Sequence, residues 1–514
     1  TAAEFIEIVG PFPEEADTAF TEENFVRLLG EYRQFAGLAT VSLGSGNAGN
    51  ITIDTGEFSI RERAGVASAT LGTGNGGNLT VSATDIQLEG IAAFLTTTIG
   101  RGDAGTISIA AEELQLTNGA LISADTLPVE NIEEVLSIDD ALREFVDTGP
   151  ALGSGDARNV TIVADRVYLR DGSRIGAATG SNSSGRGGTV TVIAFDTIEI
   201  AGVSGDGGVP SGFFANTLGT GAAGDLRVTA SSFRLRDGAT ISTSGESTGP
   251  AGNIDIDADA IALENGATIS SNTRSDRGNI NINANSFILR NRSNITTDAL
   301  DTASGGNVTV IAGVIAALGN SNITTNAEGG SGGRVRIVTP AAIGLEIRTR
   351  EQLESILGTP ISLESPQELT TNDITAFSLV SPELSGTIAL DLSGVDSTQG
   401  LEELPQEPVD PNALVTDNPC KIGRENQFVV TGREGVPLST GEFLSGEAIW
   451  DDVRLPSIDG EMAGEAIDGD FQNGDILVEA TAWEIQPDGD IDLVASSPGS
   501  YELRYPIDGC ATED

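Results

Sequence analysis

The chain has 514 residues, of which 76 are acidic and 27 basic, for a net charge of −49, with no His and a single Lys, Lys421. A surface of that sign repels nucleic acid and anionic lipid. The missing His excludes every Ser-His and Cys-His nucleophile, and no run reaches the ~18–20 consecutive apolar residues that a bilayer-spanning helix needs.

Residues 1–38 differ from the rest of the chain. Pro11, Phe12 and Pro13 precede an acidic stretch, and Phe25, Val26, Leu28, Leu29, Tyr32 and Phe35 then fall at helical spacing. The segment reads as an N-terminal cap with a helix, or as an insertion from an earlier coil. The chain starts at Thr1 with neither a basic n-region nor an apolar h-region. That start is expected of a processed or fragmentary C-terminal part of something longer.

Residues 39–340 are a repeat. A Gly-rich turn, two apolar-x-apolar triplets and a third short triplet recur, anchored at Asn50, Asn78, Thr106, Asn159, Thr189, Asp225, Asn253, Asn279, Asn307 and Arg334, with an undisturbed spacing of 26 to 30 residues. Periods of this length belong to solenoids, and alternation with period two belongs to strands. Ile, Val and Thr outnumber Leu at the apolar sites, which favours strands over a leucine-rich repeat. The predicted fold is all-β: a right-handed parallel β-helix of about ten coils, three short strands each, with helical insertions and a small C-terminal β domain. At about 4.8 Å per coil, ten coils make a rod on the order of 48 Å long.

Asn50, Asn78, Asn159, Asn253, Asn279 and Asn307 occupy one slot, immediately before the first strand of a coil. A coil-to-coil ladder of side-chain amides would satisfy turn backbone there. Asn50, Asn78, Asn159, Asn294, Asn307 and Asn322 also match the N-glycosylation acceptor pattern, which the coil pattern Asn-apolar-Thr generates by itself. Arg101-Gly102-Asp103 spells a tripeptide of adhesion ligands, in a turn where Gly and Asp are expected for conformational reasons.

Two features interrupt the coils. Residues 127–153 carry Ile132, Val135, Leu136, Ile138, Leu142, Phe145 and Val146 at helical spacing and read as an amphipathic helix packed on the rod. Residues 202–213 are Gly-rich and read as a longer turn.

Residues 341–417 are expected to close the solenoid, with a short helix around Arg350 to Leu357, and to end in a stiff linker at Pro405, Pro408 and Pro411. A small β-rich domain, residues 418–514, comes next. Its runs 476–485 and 490–495 flank Pro487-Asp488-Gly489, a hairpin signal. Both cysteines, Cys420 and Cys510, fall here. An even count near one end reads as one disulfide, closing a loop worth on the order of 4 kcal/mol in the chain-entropy model.

The run from Leu392-Ser393-Gly394 through Glu402-Glu403-Leu404-Pro405, then Asn418-Pro419-Cys420, Phe428 to Pro437, Trp450 to Arg454 and Glu479 to Trp483, resembles the C-terminal signature of filamentous-haemagglutinin-like exoproteins of the cyanobacterial type. The Gly-Asn-apolar-Thr coils resemble the same proteins, so the likeness covers roughly residues 39–495. It implies a passenger of two-partner secretion, exported through an outer-membrane transporter that serves the parent chain. It also implies a cell-surface or released protein that acts in adhesion, sheath or filament formation, with cell-surface or matrix polysaccharide and head-to-tail self-association as the implied contacts.

Candidate chemistry is sparse. The adjacent pairs Asp139-Asp140 and Asp451-Asp452 lie away from any groove the coils would make, so a β-helical glycosidase or polysaccharide lyase is the alternative reading rather than the first. A toxin-delivery stalk is a third. Asp488 to Asp492 mimics the opening of a calcium loop but has Leu493 where its Gly belongs. The acidic loop with Asp459, Glu461, Glu465, Asp468, Asp470 and Asp475 is the better weak-calcium candidate, with Gly469 and Gly474 letting oxygens converge. No catalytic residue and no other cofactor is expected.

Overall fold

The computed structural model describes residues 3–9, 36–126 and 154–392, apart from residues 43, 71, 99–100, 181–182, 276–277 and 359, together with the backbone of two strands in the C-terminal region. The chain divides into two compact units, Thr1–Leu401 and Glu402–Asp514. The first is a parallel β-helix of about 11 turns.

Its two long sheets hold 15 and 12 strands, and every pairing between their strands is parallel. Alternation explains the inside and the outside. In Ile254–Glu264, Ile254, Ile256, Ile261 and Leu263 are buried, while Asp257 and Asp259 face solvent. Each buried side chain of that size is worth about 1.5–3 kcal/mol. One coil cannot enclose these residues, but stacked coils can. Ile254 pairs with Ile280 and Ile280 with Val308, so like residues lie over one another. In the short-strand sheet Phe94, Ile122, Ile175, Phe213, Ile241, Ile269 and Ile295 form one such buried column.

The three triplets of a coil are distributed unevenly. In most coils the first two run on as one strand of 11 or 12 residues, such as Val160–Arg170 or Asn307–Leu318, forming two arms of the long-strand sheet. The second and third complete coils split that strand, as Leu79–Ser82 with Asp85–Glu89 and Ile107–Ala110 with Glu113–Thr117. The third triplet forms the short-strand sheet. A further line of single bridges joins Thr70, Thr98, Thr126, Thr179 and Thr217 from coil to coil, small residues at a tight corner.

The ladder begins before the first anchor. Ala3–Val9 pairs with Ile51–Arg61 through Ile6 to Phe58 and Ile8 to Ile60, and Ala36–Ser42 pairs with Ala64–Thr70. These flanks of the expected cap are thus strands of a further coil, whereas the helix expected within residues 10–35 lies outside the described residues. The helix expected in residues 127–153 also lies outside them. Val160–Arg170 pairs with Ile107–Ala110 and Glu113–Thr117, and Arg174–Gly176 with Leu121–Ser123, so the ladder resumes across residues 127–153 without a missing rung.

At the other end Asn372–Thr375 and Thr387–Asp391 extend the two sheets past residue 340. The helix Arg350–Leu357 is capped by Thr349 through a capping box with Gln352 and ends on Gly358 in the left-handed region. Residues 202–213 hold a small excursion closed by an antiparallel bridge from Val203 to Pro210. In the second unit Ala482–Ile485 pairs antiparallel with Ile491–Val494.

Candidate functional site

The turn that opens each coil is built on amides. Asn50 Oδ1 accepts the backbone N–H of Asn78 at 2.8 Å, and Asn78 Oδ1 accepts that of Thr106 at 3.0 Å. Asn159 Oδ1 takes the N–H of Thr189 at 3.0 Å, and Asp225 Oδ1 that of Asn253 at 3.0 Å. Asn279 then reaches Asn253 at 2.9 Å through Nδ2, and Asn307 reaches Asn279 at 2.8 Å likewise. Side-chain bonds of this type lapse at Thr106 and Thr189, whose side chains carry no carbonyl oxygen to accept with.

Three more ladders lie outside that single slot. Asn47, Asn75, Asp103 and Asp156 form one alongside, each side-chain oxygen accepting the N–H one coil on. Asp103 also pairs with Arg158, and a Cβ on Gly102 would stand 1.9 Å from Gly74 O. The adhesion-like tripeptide is therefore built into turn packing. A second runs through Asp237, Asn265 and Asn291, all at positive φ, with amide contacts of 2.8 and 2.9 Å. The third follows the short-strand sheet through Asn272, Asp298 and Asn326. The repeated Ser-Ser-Asn, Thr-Thr-Asp and Thr-Thr-Asn at 270–272, 296–298 and 324–326 is the sequence signal for it.

Of the glycosylation-pattern residues, Asn322 is fully buried and its Oδ1 accepts the N–H of Asp373 at 2.8 Å. Cys420, Cys510, Asp139, Asp140, Asp451, Asp452, Asp488, Asp490, Asp459, Glu461, Glu465, Asp468, Asp470 and Asp475 lie outside the described residues. Among the described residues no group of three or more His, Cys, Asp or Glu is placed to hold a metal ion, and no helix is long and apolar enough to cross a membrane.

One polar array not consumed by a turn lies on the outer face of the first arm. Ile254-Asp255-Ile256-Asp257-Ala258-Asp259 stacks in register under Ile280-Asn281-Ile282-Asn283-Ala284-Asn285. The inward residues are core, so three carboxylates and three amides face out. Asn281 Nδ2 donates to Asp255 Oδ1 at 2.9 Å, Asn283 to Asp257 at 3.3 Å and Asn285 to Asp259 at 3.0 Å. Arg227 and Thr229 continue the columns on one side, Thr309 and Ile311 on the other, and together they line a groove of about 340 Å³. Arg227 is held by Asp225 at 3.2 Å. The sequence carried the signal as two adjacent alternating runs, but only coil-to-coil alignment makes them one surface. Chemically the array offers acceptors and amide donors at fixed spacing.

Comparison of the chain with protein-family models, curated proteins and solved structures finds no significant match.

Proposed function

We propose that the chain is a non-catalytic structural component of an extracellular surface, of the kind that filamentous-haemagglutinin-like exoproteins form, acting in adhesion, sheath or filament building. The observation that carries this is the unbroken parallel ladder: like residues stack from Ile6 and Phe58 to Val335 and Ile388, and among the described residues the Asn slot ties the turns from coil to coil. Such a ladder is stiff along its axis because each coil contacts only its neighbours through a full set of backbone hydrogen bonds. The net charge of −49 suits a medium whose counter-ions screen it. Export through a dedicated transporter belongs to this proposal, as does a weak calcium site in the acidic loop around Asp459 to Asp475.

A carbohydrate-processing enzyme is the second reading, favoured by one observation: Asp255, Asp257 and Asp259 share one outer face, the first two lining the groove. Paired carboxylates are what glycoside hydrolysis uses. Each of the three, however, already accepts an amide hydrogen from an Asn in the next coil.

Electron microscopy of the purified chain across a calcium series tests the structural role. Uniform rods or end-to-end filaments are expected. Compact particles at every calcium concentration, or release of reducing ends from polysaccharide that Asp257→Asn abolishes, would overturn it.

A further inference from the structure

We propose that the groove on the outer face of the first arm binds a neutral matrix polysaccharide laid along the solenoid axis. Asp255, Asp257, Asn281 and Asn283 hydrogen-bond its hydroxyls, and Phe195 supplies a stacking face. The proposal rests on the surface role above only for the source of the glycan.

The fold does not require these residues. In the same column as Asp255 and Asn281, other coils carry Thr52, Thr80, Thr161 and Thr191, and their strands pair just as regularly. Charge placed where a short hydroxyl suffices is charge with another use.

The hydrogen-bond inventory fits hydroxyl groups. Once Asn281 has given one N–H to Asp255, its second N–H, its Oδ1 and the other carboxylate oxygen remain for a ligand, and the Asn283–Asp257 pair repeats the set. A sugar hydroxyl both donates and accepts, so vicinal hydroxyls can use acceptor and donor together. A ligand that only accepts, such as a phosphate or sulfate, cannot satisfy the carboxylates.

Period and sign narrow the class further. Rows recur every ~4.8 Å, so the four rows from Arg227 to Thr309 span about 14 Å. An extended glycan presents one pyranose ring per comparable step, so successive rings would meet the carboxylates of Asp255 and Asp257 and then the amides of Asn281 and Asn283. Asp255, Asp257 and Asp259 face out, whereas the Arg227 guanidinium is paired with Asp225 at 3.2 Å. The face is anionic, which disfavours uronate chains, sulfated glycans and nucleic acid.

The neighbouring coil contributes the aromatic. Val190–Ala201 carries one residue more than its neighbours between Ile193 and Thr197, a bulge that leaves Phe195 67% exposed one coil before the groove. The Ser231 hydroxyl donates to Phe195 O at 2.8 Å and fixes that bulge. Bulges re-aim side chains beside binding sites, and an aromatic ring packs against the C–H face of a sugar.

Titration calorimetry of the full chain with cellohexaose, xylohexaose, mannohexaose and laminarihexaose tests the proposal, with an oligogalacturonate of equal length as the anionic comparison. Saturable binding of at least one neutral hexasaccharide, and none of the galacturonate, is expected. The double variant Asn281→Ala/Asn283→Ala should weaken binding on the order of tenfold or more. Phe195→Ala should weaken it about fivefold to tenfold. All three positions are exposed, so circular dichroism should be unchanged, and Thr52→Ala/Thr80→Ala, in the same column outside the groove, should bind like the parent. No binding of any neutral glycan at millimolar concentration, tighter binding of the galacturonate, or binding that the groove and Phe195 variants leave unmoved would each overturn it. A chain that forms rods in the microscope yet binds no glycan loses the groove proposal and keeps the structural role.

Discussion

The carboxylate of Asp298 stands in a ladder of amides: Asn326 donates its backbone N–H to Asp298 Oδ1 at 2.6 Å, one coil beyond Asn272, whose Oδ1 takes the N–H of Asp298 at 2.8 Å. Desolvation dominates at this crowded corner and pushes the carboxyl up to about 6, against the bonds from Asn326 N–H and the Thr324 and Thr296 hydroxyls, which pull it down.

A raised carboxyl means that the folded chain holds the proton more tightly than the unfolded chain. Its contribution is complete below the unfolded value of 3.8 and is lost as pH rises through about 6. With the partial exposure of Asp298 taken into account, the loss is about 2 kcal/mol. Asp298→Asn keeps the acceptor and removes the charge, and the Thr324 hydroxyl can turn to accept from the new amide. The variant should match the parent at pH 4 and exceed it by about 2 kcal/mol at pH 7 in denaturant unfolding. Parallel pH profiles for the two chains would count against an ionisable penalty at this position.

Gly252 and Gly266 separate two reasons for glycine. A Cβ at Gly252 would stand 1.8 Å from Gly224 O, whereas Gly266 has open space around it but a φ of +78°. Gly252→Ala should therefore force neighbouring coils apart and cost about 2–3 kcal/mol, while Gly266→Ala should cost about 1 kcal/mol of local strain. Hydrogen exchange checks the difference in kind: protection should fall in the flanking strands for the first variant and only at the turn for the second.

Arg292 holds a φ of +64° where the equivalent turns place Gly119, Gly172, Gly238 and Gly266. Arg292→Gly removes that strain at some cost in unfolded-chain entropy, so a net gain of about 0.5–1 kcal/mol is expected. A fall in the unfolding midpoint would show that the Arg side chain contributes more than its backbone costs.

Asn279 is bonded on both sides, giving its Nδ2 hydrogen to Asn253 and receiving both N–H and Nδ2–H from Asn307. Asn279→Ala leaves these partners in a turn that is only partly open to water and should cost about 1–2 kcal/mol. Asn159→Ala, where one bond to Thr189 is lost from an exposed position, should cost less. Equal losses would mean that the additional ladder bonds of Asn279 contribute nothing to stability.

Much of the fold was legible because a strand writes its two faces into the chain: Ile254 with Ile256, and after a phase change at the corner Ile261 with Leu263, turn inward together. The Asn slot was legible for a similar reason, since its spacing equals the coil period. The first coil was not, because residues 10–35 separate its two strands and hide the period, although Phe5-Ile6-Glu7-Ile8 alternates. Nor was the groove, because adjacent acidic pairs show up along the chain, whereas Asp257 meets Asn283 across it, 26 residues away.

The amino-acid sequence alone determined period, strand character, the inward residues and the sign of the surface, all properties of local alternation and composition. Tertiary structure decided which outward residues became neighbours, because coil-to-coil register is set by backbone ladders that absorb insertions such as residues 127–153 and bulges such as the one at Phe195. Side chains that bind nothing in isolation become a surface only once those ladders stack them in columns, one residue every ~4.8 Å.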